Sequence, residues 1–268
     1  MAERLQKLLA RAGHGSRREV EAWIRAGRLT VNGRPARLGE RATPRDRICL
    51  DGRPLPLERA AEPAVAGYLY HKPAGRVCSR RDPQGRPTVF EALPRPPGGG
   101  RWVMVGRLDV PTLGLLLFVT DGALAHRLMH PASGIAREYA VRVRGRPREE
   151  ALRRLREGVA LEEGPARFEE VAWAGGRGSN QWFRVLLREG RYREVRRLWE
   201  AVGHPVSRLI RVRFGPLRLP PGLPAGKGRL LTPGELAQLY EAAGLAVPAA
   251  LRPGRRRRGA DRARGAAP

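Results

Sequence analysis

Three stretches of the sequence combine residue types that could act on one substrate. The first is Val105-Gly106-Arg107-Leu108-Asp109, followed by Thr112-Leu113-Gly114 and the apolar run Leu115 to Val119. Asp109 lies between two runs with strand character. A carboxylate held by rigid strand ends can serve as a nucleophile or a general base. An Asp after a strand also commonly makes a turn, and spacing alone leaves both readings open. The second stretch runs from Glu189-Gly190-Arg191 through Arg193-Glu194-Val195-Arg196-Arg197 to Trp199. A strand ends there, Gly190 turns the chain, and a basic helix begins. Its arginines could bind phosphate or pair with a carboxylate, or could form a solvated face. The third is Ala136-Arg137-Glu138-Tyr139, with Tyr139 at the start of a strand. A buried structural tyrosine is the ordinary alternative for that position. No phosphate loop, dinucleotide fingerprint or nucleophile elbow occurs. His126 and His130 stand four apart on an expected helix, but no adjacent Glu completes a metalloprotease pattern.

The elements that must position these residues fall into two units. Residues 1–57 read as a compact module. Leu5, Leu8, Leu9 and Ala12 recur at helical spacing, and Gly13 stops that helix. Ser16 and Glu19 form a capping box for a second helix, opened by Arg17 and Arg18 and carrying Val20, Trp23 and Ile24 on its apolar face. Strands are expected at Leu29 to Val31 and Ile48 to Leu50, closed by Asn32-Gly33 and Asp51-Gly52 turns. Residues 58–66 read as a linker rich in Ala, Glu and Pro. The larger unit spans 67–247. Its expected strands are Gly67 to His71, Trp102 to Val105, Leu115 to Thr120, Glu138 to Val143, Gln181 to Arg188 and Leu209 to Phe214. Helices are expected at Ala123 to Met129, Arg148 to Arg156, Arg193 to Val202 and Pro233 to Ala243. Thr232, Pro233 and Glu235 form a capped start for the last of these. Pro94 to Gly100 reads as a mobile loop. The whole is an α+β fold with a mixed, mainly antiparallel sheet. Residues 248–268, rich in Arg and poor in apolar side chains, read as a disordered basic tail.

Charge points to the partner. The chain of 268 residues carries a formal net charge of +26, from 52 Lys and Arg against 26 Asp and Glu. Such a surface suits nucleic acid. No apolar run approaches the roughly 18 residues of a spanning helix, so a membrane role is not expected. Lys7, Lys72 and Lys227 are the only lysines. The excess of Arg over Lys accompanies abundant Gly, Pro and Ala and reads mostly as genome composition. Cys49 and Cys78 show no metal-ligand or redox spacing. The start, Met1-Ala2-Glu3-Arg4, lacks an apolar signal region, so a cytoplasmic location is expected.

Together the three stretches resemble the pseudouridine synthase family that modifies bacterial ribosomal RNA. The resemblance runs from Val105-Gly106-Arg107-Leu108-Asp109 through Thr112-x-Gly114-Leu115-Leu116-Leu117 and Thr120-Asp121-Gly122. It continues with His126 to Pro131 and Glu138-Tyr139. It closes with Glu189-Gly190-Arg191-x-Arg193-Glu194-Val195-Arg196-Arg197 and Val206-x-Arg208-Leu209-x-Arg211. The N-terminal unit resembles the S-four-like module, first known from a ribosomal protein of the small subunit. The resemblance covers about residues 3–245. It implies that Asp109 is the essential aspartate and that Tyr139 stacks on the target base and can take a proton from the sugar. It implies that Arg196 pairs with the aspartate and that Arg107 helps hold the base out of its stack. Thr112, Arg17, Arg18, Arg193 and Arg197 are the further expected substrate contacts. No cofactor or metal is implied.

Physical chemistry accepts these roles. A uracil inside a helix must be extruded or taken from a loop. Breaking its glycosidic bond places positive charge on the sugar, which a nearby carboxylate stabilises. The expected substrate is large-subunit (23S) rRNA, acted on by a monomer. Small-subunit rRNA is the alternative within the family. A non-catalytic rRNA-binding assembly factor is the competing class, and Asp109, Tyr139 and Arg196 together argue against it. No dimeric recognition-helix pattern supports a DNA-binding protein.

Overall fold

The computed structural model describes residues 2–57, 65–176 and 178–252. Most of the expected linker and tail lie outside these residues. The boundary of the tail is corrected. Ala249–Leu251 forms a short 3-10 helix, and Leu251 is buried against the second core cluster. One apolar side chain is enough to extend the packed chain past 248.

The N-terminal module follows its sequence signals closely. Helices span Leu5–Arg11 and Arg17–Arg25. The Ser16 hydroxyl accepts from the Glu19 amide, and the Glu19 carboxylate accepts from the Ser16 amide, so both halves of the capping box are made. Leu29–Val31 pairs with Arg34–Pro35 and Ile48–Leu50, and Ile48–Leu50 pairs with Arg53–Pro54. Asn32 and Gly33, like Asp51 and Gly52, both have positive φ, as the tightest hairpin turns require. Leu5, Leu8, Leu9, Val20 and Leu29 fill a core of its own.

The larger unit is built on a nine-stranded sheet. In order across it run Glu170–Trp173, Asn180–Leu187, Arg137–Arg144, Val206–Phe214, Leu113–Val119, Gly67–Lys72 and Gly228–Leu230. Val103–Val105 joins the edge of Leu113–Val119, and Leu217–Arg218 joins Val206–Phe214. Sequence explains which strands are covered on both faces. Leu113–Val119 is nearly all apolar. Its Leu116 and Phe118 enter one cluster, while Leu115, Leu117 and Val119 enter the other. Arg137–Arg144 instead alternates buried and half-exposed residues, so it has one packed face. The helices Gly122–Met129 and Pro233–Ala242 supply the second cluster.

Every pairing in this sheet is antiparallel except one. Val206–Phe214 runs parallel to Leu113–Val119, and only over Ile210↔Leu113 and Arg211↔Gly114. Further along, the same edge of Leu113–Val119 is taken by Val103–Val105. The sheet therefore splits there, and residues 106–112 form the loop in the split. Gly114 closes the seam. Its φ is +112°, and a Cβ would stand 2.3 Å from the Arg211 carbonyl oxygen. Gly114→Ala should therefore destabilise the protein by about 3 kcal/mol in urea or thermal unfolding. Gly122→Ala, where a Cβ meets nothing within 4 Å, should change stability by less than about 1 kcal/mol. Equal effects of the two would refute the seam's dependence on glycine.

Candidate active site

Asp109 projects from the loop in the split. That loop is anchored mostly through its backbone. The Thr112 amide donates to the Asp109 carbonyl (3.0 Å), closing a turn around Val110 and Pro111. The Val110 carbonyl accepts from the Gly75 amide at 2.9 Å. The Leu108 amide donates to the Cys78 sulfur at 3.4 Å. Lys72, at the end of the Gly67–Lys72 strand, completes the anchorage. Its ammonium is fully buried and donates to the carbonyls of Pro73 (2.9 Å), Val110 (3.1 Å) and Thr112 (2.9 Å). All three of its protons are thus used. Burial pulls its pKa down, and the neighbouring Cys78 and Asp109 charges oppose that shift.

A cleft of about 110 Å³ opens beside this loop. Its walls include Asp109, Tyr139, Arg107, Thr112, Arg193 and Arg211. Tyr139 is 8% exposed, with its ring in the main core cluster. The chain reaches the opposite wall at the strained turn before helix Glu194–Ala201. Arg193 there adopts left-handed backbone (φ 50°, ψ 27°), unusual for a residue with a side chain. The turn places Arg196 one residue pair into the helix, with its Nε 4.0 Å from Asp109 Oδ2. Arg196 is 8% exposed, and its Nη1 donates to the Val206 carbonyl at 3.2 Å. Burial lowers its pKa, Arg193 adds to that, and Asp109 opposes it.

The expected site residues separate into two groups. Asp109, Tyr139, Arg107, Thr112 and Arg193 line the cleft, and Arg196 reaches Asp109 from behind. Arg197 does not join them. It is held 2.7 Å from Glu163, because consecutive residues of a helix project about 100° apart. Arg17 and Arg18 do not join them either. They are exposed on the N-terminal module, outside the cleft wall. That module meets the larger unit where Arg101 donates to the Gly15 carbonyl.

Three residues in or behind the cleft were given no role by the sequence reading. Lys72 could have been noticed as a lone lysine ending an apolar strand in an arginine-rich chain. Arg211 sits at an inward position of the strand Val206–Phe214. It is 3% exposed, its Nε donates to the Leu115 carbonyl at 2.8 Å, and its Nη2 is buried without a hydrogen-bond partner among the described residues. Glu194 is 3% exposed at the helix start and accepts from the Arg191 amide at 3.0 Å. Burial and the adjacent Glu189 carboxylate push its pKa up to about 7.

The comparisons with known proteins fit this geometry. The model of the RNA pseudouridylate synthase family matches residues 67–201, half of the chain. The chain belongs to this family. The S4 domain matches residues 3–48. The synthase is 58% identical over 228 residues to the ribosomal large subunit pseudouridine synthase B of Escherichia coli (strain K12), covering 84% of this chain and 78% of that one. It is 54% identical over 246 residues to the protein of the same name from Pseudomonas aeruginosa, covering 91% of this chain and 64% of that one. A solved pseudouridylate synthase superposes with a TM-score of 0.61 at 28% identity, over 88% of this chain and 99% of that one.

The raised pKa of Glu194 gives a stability prediction. A carboxyl whose folded pKa exceeds its unfolded value favours the folded state fully below about pH 4.5. That contribution is lost as pH rises through about 7. The shift corresponds to about 3 kcal/mol between those limits. Urea denaturation across this range should show stability falling with pH, and Glu194→Gln should flatten that fall. An unchanged slope in the variant would refute the assignment.

Proposed function

We propose that this protein converts one specific uridine of large-subunit ribosomal RNA to pseudouridine, with Asp109 carrying the reaction. The observation behind the assignment is the Asp109–Arg196 pair at a cleft walled by Tyr139. The names and high identity of the relatives support the large-subunit substrate over the small-subunit one. That substrate is made in the cytoplasm, and we infer that the protein acts there.

In this reading the target uridine leaves its stack and enters the cleft. Tyr139 offers an aromatic face to the uracil. The bond from the sugar C1′ to N1 breaks, the base turns, and C1′ bonds to C5. C5 gives up its proton and N1 takes one up, so no net oxidant, reductant or co-reactant is consumed. Asp109 attacks or stabilises the sugar as positive charge develops there. Arg196 holds the carboxylate in place. Arg107, exposed at the cleft mouth, occupies the space that the extruded base leaves. Arg193, on the cleft wall, offers donors to the anionic backbone of the nucleotide.

Asp109→Asn should abolish pseudouridine formation on a large-subunit rRNA transcript while binding stays within a few-fold of wild type. Tyr139→Phe should keep affinity and slow single turnover by about 10²–10⁴-fold, the usual worth of proton-transfer assistance. Tyr139→Leu should also lose affinity. Mapping pseudouridines in rRNA from cells with and without the protein identifies the substrate. One site in large-subunit rRNA should disappear. A site lost from small-subunit rRNA, or an active Asp109→Asn variant, would overturn the reading.

A further inference from the structure

The cleft and the main core cluster occupy one face of the sheet. The second cluster covers the other face behind Gly67–Lys72 and Leu113–Val119 and at the Phe214 end of Val206–Phe214. Behind Asn180–Leu187, Arg137–Arg144 and residues 206–210, neither cluster covers that other face. Ala140, Trp182, Leu186 and Ile210 point there, are each half-buried, and belong to neither cluster.

The charges on this open face are unusual. Trp182, Arg142 and Arg208 are direct cross-strand neighbours on three adjacent strands. The Arg142 guanidinium lies 5.9 Å from the Trp182 ring centre, and its Nε donates to the Ser207 hydroxyl at 3.0 Å. Like charges directly opposite each other weaken a sheet. Yet among the described residues neither Arg142 nor Arg208 has a carboxylate within ion-pair distance. Nearby, Arg184 and Arg218 share the single carboxylate of Glu138, at 2.7 and 3.2 Å. An anionic ligand would supply the counter-charge that Arg142 and Arg208 lack among the described residues.

We infer that the open face of the sheet, centred on Arg142, Arg208 and Trp182, is a second RNA-binding surface, on the opposite side of the sheet from the cleft. Its ligand is an unpaired stretch of RNA away from the target uridine. Arginine forks match phosphate oxygens. A tryptophan flanked by arginines offers a base a stacking surface beside its own phosphates. An acidic peptide would use the arginines and leave the ring without a partner. A membrane would want lysines around a protruding apolar group, whereas Trp182 lies within the sheet surface. The chain's substrate class is RNA, and the surface extends contact with it beyond the nucleotide being modified.

The test uses the full chain and a large-subunit rRNA transcript. The Arg142→Gln/Arg208→Gln double variant should bind it about tenfold or more weakly at moderate salt. Its log affinity against log salt should flatten by about 1.4, since two phosphates of a single strand are no longer neutralised. Trp182→Ala should lose about tenfold in affinity with the slope unchanged. Single-turnover rates at saturating protein should match wild type in both, because neither change touches the cleft. Melting temperatures check folding, and the exposed Arg208→Glu alone supplies a second, less invasive variant that should also bind weakly. Unchanged affinity and slope would overturn the inference. So would a loss confined to anionic vesicles or polyglutamate, or slower single turnover at saturation. Wild-type turnover on the same transcript separates these results from a failure of the proposed substrate.

Discussion

One buried ammonium group organises the site. Lys72 lies at the end of a strand one in from the edge of the sheet, with no exposed surface. Burying a charge is costly unless it is hydrogen-bonded and balanced. Lys72 meets both conditions, through the carbonyls of Pro73, Val110 and Thr112 and the nearby Asp109 charge. Two of those carbonyls belong to the turn that directly follows Asp109. The ammonium therefore fixes the turn from below, and Gly114 fixes it from the side by letting the Arg211 backbone approach. Asp109 is the free end of a structure restrained on every other side.

The second restraint comes from a distant part of the sequence. Arg193 adopts a left-handed conformation that most side chains avoid, at a cost on the order of 1 kcal/mol. The helix that follows then starts at the angle that turns Arg196 toward Asp109 and Arg197 toward Glu163. Adjacent arginines thus have different partners. The same turn buries Glu194 against Glu189, so the cleft wall carries both a concentrated positive charge and a carboxyl that resists ionisation. A site that must grip a polyanion beside a carboxylate needs this separation of charges.

Much of the fold was legible in the sequence. The run Leu113–Val119 was apolar enough to require burial on both faces, and the alternation in Arg137–Arg144 marked a strand with one covered face. Ser16 with Glu19 and Thr232 with Glu235 fixed two helix starts. The hairpin Val159–Leu161 with Gly164–Ala166 and the edge strand Glu170–Trp173 escaped, because they lack the Asn-Gly or Asp-Gly turns that marked the equally short strands of the N-terminal module. Gly228–Leu230 escaped because only its pairing with Tyr68–Tyr70 makes it a strand. In the site, Asp109, Tyr139 and Arg196 stood out through the resemblance of their motifs. Lys72, Glu194 and Arg211 did not, because each acts through partners remote in sequence or through burial. The Arg197–Glu163 pair was not legible either, since nothing near Arg197 in the chain announces Glu163.

The dependence of Asp109 on its buried support is most directly tested by the single-turnover rate of Lys72→Met on rRNA, measured with its unfolding curve. Methionine fills the space and removes the three donors. Displacing a reacting group by about 1 Å can cost about a hundredfold in rate. The account predicts a loss of at least that size in protein that is still folded and still binds RNA. Activity that falls only in proportion to the folded fraction would show that Lys72 supports the fold and not the placement of Asp109.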